Sequence, residues 1–297
     1  MQKERRQPTA LYHFLSGVIG STCGVIVTCP LELVKTRNQS TFSSRYGGVS
    51  GVARGIKNVV RNEGFFSLWK GCLVMIASVA PSRGIHFLVY ESSKPFINKA
   101  FPNMSSTANA LVRSVMAGAC AVTFSNPIWV VKTRLQLQTN VDPELAKSNV
   151  RFKNYQGIVD AVRRIYREEG MCAFFRGLSV SYLGLTETAI QFTCYDMLKR
   201  GLYKRNEEPS KLTLFGTAAL AKLIATTLTY PHEVVRTRMR ERTEGKEYAS
   251  IVSSFKSVWK HDGFRGLYAG YEAHVCRTVP NAAIMFLIVE ILLNNSL

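Results

Sequence analysis

Three short stretches place charge at matching distances after a proline: PLELVKTR (Pro30–Arg37), PIWVVKTR (Pro127–Arg134) and PHEVVRTR (Pro231–Arg238). In the first and third, an acid and a base stand two and five residues after the proline: Glu32 with Lys35, and Glu233 with Arg236. The middle copy keeps the base, Lys132, but puts Trp129 where the acid belongs. Residues three apart share a helical face, so each copy presents its charges to one side, where they can pair with charges on other helices. Covalent chemistry has no comparable signature. There is no metal-ligand spacing, phosphate-binding glycine loop or nucleophile–base pattern, and the five histidines are scattered. No catalytic residue, metal or cofactor is expected. Seven cysteines (Cys23, Cys29, Cys72, Cys120, Cys172, Cys194, Cys276), odd in number and without CxxC, read as reduced, buried small residues.

The elements that carry these charges repeat with them. The prolines are 97 and 104 residues apart. Each is followed by an acid–glycine step (NEG ending at Gly64, EEG at Gly170, HDG at Gly263) and then by an aromatic marker (LWKG at Gly71, FFRG at Gly177, LYAG at Gly270). Internal repetition on this scale is best read before anything else. Each unit reads as an apolar helix ending at the proline motif, a polar loop with a short amphipathic helix such as 52–62, and a second apolar helix such as 73–94. The apolar stretches have about the 20 residues needed to cross a bilayer. Gly17, Gly20 and Gly24, and likewise Ala117, Gly118 and Ala121, give the small-residue spacing of helices that approach closely in a membrane. The expectation is an all-α membrane protein with six transmembrane helices.

Composition narrows this further. Hydrophobic residues make up 46% and mean hydropathy is near zero, low for a lipid-facing bundle. Arg83, Glu187, Lys222 and Arg277 interrupt the spans. Ionisable groups at that depth are costly unless they face water or one another, so the six helices are expected to surround an aqueous cavity. A net charge of +18 points to an anionic partner. The rival from another class is a basic, helical nucleic-acid-binding protein. Against it, the basic residues follow the repeat rather than forming one stripe, and uncharged runs such as 11–30 are too long.

The thrice-repeated Px[D/E]xx[K/R]x[K/R], with its acid–glycine and aromatic-x-glycine followers, resembles the mitochondrial carrier family over essentially the whole chain. The resemblance implies one transporter domain (1–297) of three pseudosymmetric repeats (9–100, 106–205, 209–297) with short amphipathic helices on the matrix side. It also implies an inner-membrane location, exchange by alternating access, and a monomer that binds no nucleic acid. A proline-kinked end would bring the motif charges together as a matrix gate of Glu32, Lys35, Trp129, Lys132, Glu233 and Arg236. The family pattern is taken to pair Arg236 with Glu32 and Lys132 with Glu233, leaving Lys35 to Trp129, where a cation–π contact is one option. The glutamine-brace positions hold Gln39, Gln136 and, departing from glutamine, Arg240. The cytosolic counterpart is YESSK (Tyr90–Lys94), YDMLK (Tyr195–Lys199) and VEILL, which keeps Glu290 but has Leu293 for the base. Pairing Lys94 with Asp196 and Lys199 with Glu290 leaves Glu91 over.

The family's contact positions fall seven residues after each aromatic marker glycine, at Ser78, Gly184 and Arg277. Gly184 with Leu185 offers a flat surface for a ring, and Arg277 a fork for phosphate. Arg83 lies eleven residues before Lys94 and Lys222 eleven before Glu233, each about 20° away on an ideal helix, hence on the cavity face. Lys222 has a second reading, as ion-pair partner of Glu187. Helix phase does not carry from Arg277 to Glu290, because Pro280 intervenes. Three cations against one acid suit a nucleotide better than a dicarboxylate. Within the family, PIW with YPHEVVRTR resembles the branch that carries folate, FAD, NAD and pyrimidine nucleotides. APSRGIHF, YLGLTETAIQF and the midspan Lys222 are most similar to the pyrimidine nucleotide carriers, with NAD, FAD or folate as the alternative solutes. Lys57, Arg61, Arg163, Arg164, Arg167 and Lys256 decorate the amphipathic helices, where the family implies anionic lipid, cardiolipin in particular.

Overall fold

The computed structural model describes residues 10–41, 49–138, 155–203, 210–241 and 250–295. Every regular element among them is helical. In chain order these are α1 (Ala10–Gln39), α2 (Val49–Glu63), α3 (Cys72–Ala100), α4 (Ser106–Leu137), α5 (Ile158–Glu169), α6 (Leu178–Leu183), α7 (Leu185–Tyr203), α8 (Lys211–Arg240), α9 (Ile251–Leu267) and α10 (Tyr271–Asn295). Short 3-10 turns, Phe65–Trp69 and Met171–Phe175, precede α3 and α6. Leu15–Gln39, Phe65–Ala100 and Ala108–Leu137 are each long and apolar enough to cross a membrane. Of the remaining long helices, α7 carries Glu187, α8 Lys222 and α10 Arg277.

The proline motifs close their helices as expected, with Pro30 inside α1, Pro127 inside α4 and Pro231 inside α8, and each helix ending two or three residues after the last motif base. Two residues before each proline, a hydroxyl bonds back to the carbonyl four residues earlier: Thr28 to Gly24, Ser125 to Ala121 and Thr229 to Ala225. Proline removes a helical donor, and back-bonding hydroxyls favour bending, so both act at the same turn. The second even span, expected as one helix, is interrupted at Gly184 into α6 and α7.

Two compact units emerge: residues 1–84, 127–174 and 269–297, and residues 85–126 and 175–268. In the first, Val131 and Leu135 of α4 pack on Ala161 and Ile165 of α5, with Val74 and Phe174 closing the cluster. The first amphipathic helix buries Val59 against Leu33 and Leu68, and Val52 against Val34 and Ala273. Lys57 and Arg61 stay exposed, as do Arg163 and Arg167 on α5. In the second unit, Val235 and Met239 of α8 pack on Val180, Val258 and Leu267. Each fully buried side chain of this kind contributes about 1.5–3 kcal/mol. Ser250 caps α9 through a reciprocal box with Ser253. Large apolar side chains such as Leu73, Phe124 and Leu228 point outward, the pattern of a surface meant for lipid.

The cysteines depart in part from expectation. All seven are free, but Cys29 and Cys72 alone are buried, while Cys120 and Cys172 are exposed.

Candidate transport site

The proline-motif charges of the first unit converge on one carboxylate. Glu32, buried on α1, accepts from Lys132 Nζ at 2.5 Å through Oε1, and Arg277 Nε lies 2.9 Å from Oε2. The arginine contact lacks hydrogen-bond alignment, so it is an ion pair held by charge alone. Lys132 also stands 5.0 Å from the centre of the Trp129 ring. Two expectations change here. The lysine of the second copy pairs with Glu32 rather than Glu233, and the cation over Trp129 is Lys132 rather than Lys35. Helix phase fixes the face a charge occupies but not which neighbour that face meets. Arg277, expected to be free for a solute, is partnered as well.

In the second unit, Arg236 donates to Glu233 three residues before it on the same helix. Lys222 Nζ is 2.7 Å from Glu187 Oε1, and the Thr226 hydroxyl donates to the same oxygen at 2.8 Å. The ion-pair reading of Lys222 is therefore the observed one. Gly184 lies against the imidazole of His232, where a Cβ would come within 2.9 Å of Nε2; any side chain there would displace the ring. Leu185 reaches across to Gly118 on α4. Ser78 is buried, and its hydroxyl donates to the Met75 carbonyl. Arg83 is exposed beside the Met285 sulfur, and among the described residues it pairs with no carboxylate. No group of three metal-ligating side chains occurs among the described residues.

The brace positions share a geometry that the sequence did not reveal. Each marker glycine has a positive φ and faces both a motif base and a brace residue. Gly71 (φ +79°) meets the Lys132 carbonyl and Gln136, Gly177 (φ +74°) the Arg236 carbonyl and Arg240, and Gly270 (φ +77°) the Lys35 carbonyl and Gln39. Glycine is required twice over, by the left-handed backbone and by the close approach. Gln136 accepts from the Thr36 hydroxyl at 3.0 Å. Arg240, where glutamine was expected, still bridges: Nη2 donates to Asn126 Oδ1 at 2.8 Å and to the Ser181 hydroxyl at 2.9 Å.

A second set of residues escaped sequence reasoning. The last base of each motif reaches the acid of the following acid–glycine step: Arg37 to Glu63, Arg134 to Glu169 and Arg238 to Asp262. The signal was present, since both markers recur in all three copies with opposite charge. Glu63 serves Arg37 and Lys70 together. Burial alone would raise its carboxyl. The hydrogen bonds from Arg37 and Lys70, with their charges, outweigh that and hold it below the usual carboxylate range.

At the tyrosine-motif end the pairing is looser. Asp196 faces Arg200 on its own helix at 3.8 Å, with both side chains well exposed. Lys94 forms no ion pair among the described residues, so the expected Lys94–Asp196 pair is not made. Lys199 stands 5.8 Å from the Tyr195 ring centre. Glu91, expected to be left over, has a partner: Arg113 of α4 at 3.6 Å. Arg113 was missed because it is a lone base at the edge of an apolar run. The side chain of Glu290 lies outside the described residues.

Comparison with known proteins gives these parts a common origin. A profile of the family described as "Mitochondrial carrier protein" matches residues 6–101, 103–206 and 207–295. Solute carrier family 25 member 36-A of Danio rerio is 37% identical, over 96% of this chain and 97% of its own length. The Mitochondrial pyrimidine nucleotide transporter RIM2 of Saccharomyces cerevisiae is 36% identical, over 92% of this chain and 83% of its own. Solute carrier family 25 member 33 of Homo sapiens is 33% identical, over 97% and 96%. With three family matches, each containing one proline motif and its two followers, the chain belongs to the mitochondrial carrier family, transporters rather than enzymes, which pass several times through the inner mitochondrial membrane.

Proposed function

We propose that this chain exchanges pyrimidine nucleoside phosphates, ribose or deoxyribose, across the inner membrane by alternating access. In this reading residues 1–297 form one monomeric transporter domain of three repeats, 9–100, 106–205 and 209–297. Six spans surround an aqueous path, the proline motifs face the matrix, and the tyrosine motifs face the cytosol. The observation that carries it is the sharing of Glu32 between a gate base, Lys132, and a site cation, Arg277. A phosphate oxygen offers the same two-point acceptor as a carboxylate, with more charge, and competes for the arginine fork. Capture of Arg277 by the solute withdraws one of the two cations that stabilise buried Glu32, and the gate loosens where the solute binds. Lys222, held by Glu187 and Thr226, is released to a second phosphate in the same way. Gly184 and Leu185 then contribute an apolar surface for the base, and Ser78 and Arg83 complete the set.

The Glu32–Lys132 pair runs from the acid of one copy to the base of the next. By that direction Trp129 leaves Arg236 without its acid, and Arg236 takes Glu233 of its own helix instead. The exposed bases on α2, α5 and α9 serve anionic headgroups, cardiolipin among them.

The name of the yeast relative supports the pyrimidine assignment. The test is uptake of labelled nucleotides into liposomes that contain the purified protein and internal UTP or CTP. Exchange of UTP and CTP is expected, with Arg277→Ala and Lys222→Ala each lowering it at least tenfold, the cost of about 1.4 kcal/mol of solute binding. Preferential uptake of NAD, FAD or folate overturns the solute assignment; unchanged rates in both variants overturn the phosphate site.

A further inference from the structure

We propose that Arg113 supplies the third base of the tyrosine-motif end, replacing from α4 the charge that Leu293 omits from α10. The ring motif alone has three acids (Glu91, Asp196 and Glu290) against two bases (Lys94 and Lys199). Such an imbalance would bring one unpaired carboxylate inward whenever that end closed. Arg113 lies on a different helix and outside the motif, yet its geometry is that of a built partner rather than a chance surface contact. It is 8% exposed. Its Nε and Nη2 donate to the Tyr90 carbonyl at 3.0 and 2.8 Å, and its Cζ lies 4.0 Å from the centre of the Tyr90 ring. The fork is thus fixed on one residue of the motif, and Nη2 stands 3.6 Å from the carboxylate of the next, Glu91.

The three contacts differ in kind. The carbonyl bonds and the ring contact anchor the guanidinium and do not depend on Glu91. The carboxylate contact exceeds hydrogen-bond length, and Glu91 is half exposed. An arginine already anchored loses little freedom in meeting a carboxylate. Arg113 therefore acts as a fixed positive charge that neutralises Glu91 in either state, so that in number the bases of this end equal its acids. It is a positioning residue for the closing step and makes no contact with solute. The inference rests on the transport reading above but not on which nucleotide is carried.

The test is a double-mutant cycle on exchange in liposomes, each rate taken relative to the unsubstituted protein with whichever nucleotide it exchanges. A wrong solute assignment then leaves the cycle readable. Arg113→Gln is expected to slow maximal exchange about tenfold with little change in KM, as for a charge imbalance met only on closing. Introduced into Glu91→Gln, the same change is expected to cost less than about twofold. Arg113→Lys, which keeps the charge but loses the fork, is expected to recover part of the rate lost in Arg113→Gln. An equal cost of Arg113→Gln in both backgrounds, or an Arg113→Lys as slow as Arg113→Gln, assigns the residue to helix packing and overturns the proposal. If Arg113→Gln fails to fold, the Arg113→Lys rate and the salt dependence of exchange decide: loss of rate with no salt effect overturns it.

Discussion

The two ends of these helices handle charge differently. At the proline-motif end, Glu32 and Lys132 sit nearly out of solvent and meet across two helices, and the last motif bases Arg134 and Arg238 are buried on their acids. At the tyrosine-motif end, Asp196 and Arg200 are mostly exposed and belong to one helix, while Lys94 pairs with nothing among the described residues. A buried pair is hard to break one-sidedly, because the charge left behind is desolvated. An exposed pair in water contributes about 0–1 kcal/mol. Among the described residues, the buried ion pairs therefore lie at the proline-motif end, while the other end shows an exposed pair and the Arg113 anchor.

The largest effect should come from Glu32→Gln. It leaves Lys132 and Arg277 facing a neutral amide, and a cost of about 3–5 kcal/mol is expected in thermal unfolding of the detergent-solubilised protein. A change below about 1 kcal/mol would remove the contrast between the ends. Next is Glu63, whose carboxyl is held low in the folded protein. Its contribution is fully present above the ordinary glutamate value, about 4.3, and is lost as pH falls below that through the folded value. Glu63→Gln should cost about 2 kcal/mol at neutral pH and flatten the acid limb of a stability–pH curve; an unchanged acid limb would show that Arg37 and Lys70 do not depend on it. The smallest effect should come from Asp196→Asn, within about 0.5 kcal/mol of the parent. A loss comparable to that of Glu32→Gln would mean that the exposed end is as strongly coupled as the buried one.

Much of this was readable from residues alone, because it depends on spacing. The repeat, the helical class, the motif charges and a short amphipathic helix such as 52–62 in each copy all follow from period and length. What failed depended on neighbours. Glu32 could be assigned a face, but whether that face met Lys132 or Arg236 depends on which helix lies to which side. Arg277 was separated from Glu32 by most of the chain, so no spacing linked the two. Arg240 departed from the expected glutamine, and only its neighbours show that an arginine fork can span Asn126 and Ser181. Arg113 carried no periodic signal at all.

The marker glycines have one more consequence. Gly71, in the first copy, supports the gate base of the second; Gly177, in the second, supports that of the third; and Gly270, in the third, supports that of the first. The contacts are therefore one step out of register with the sequence repeat, and the register wraps from the last copy back to the first. No single copy contains both its gate base and the seat on which that base rests. Although the chain is written as three modules, it is not modular: a fragment of one or two copies would present at least one gate residue with nothing beneath it, and the final copy completes the first.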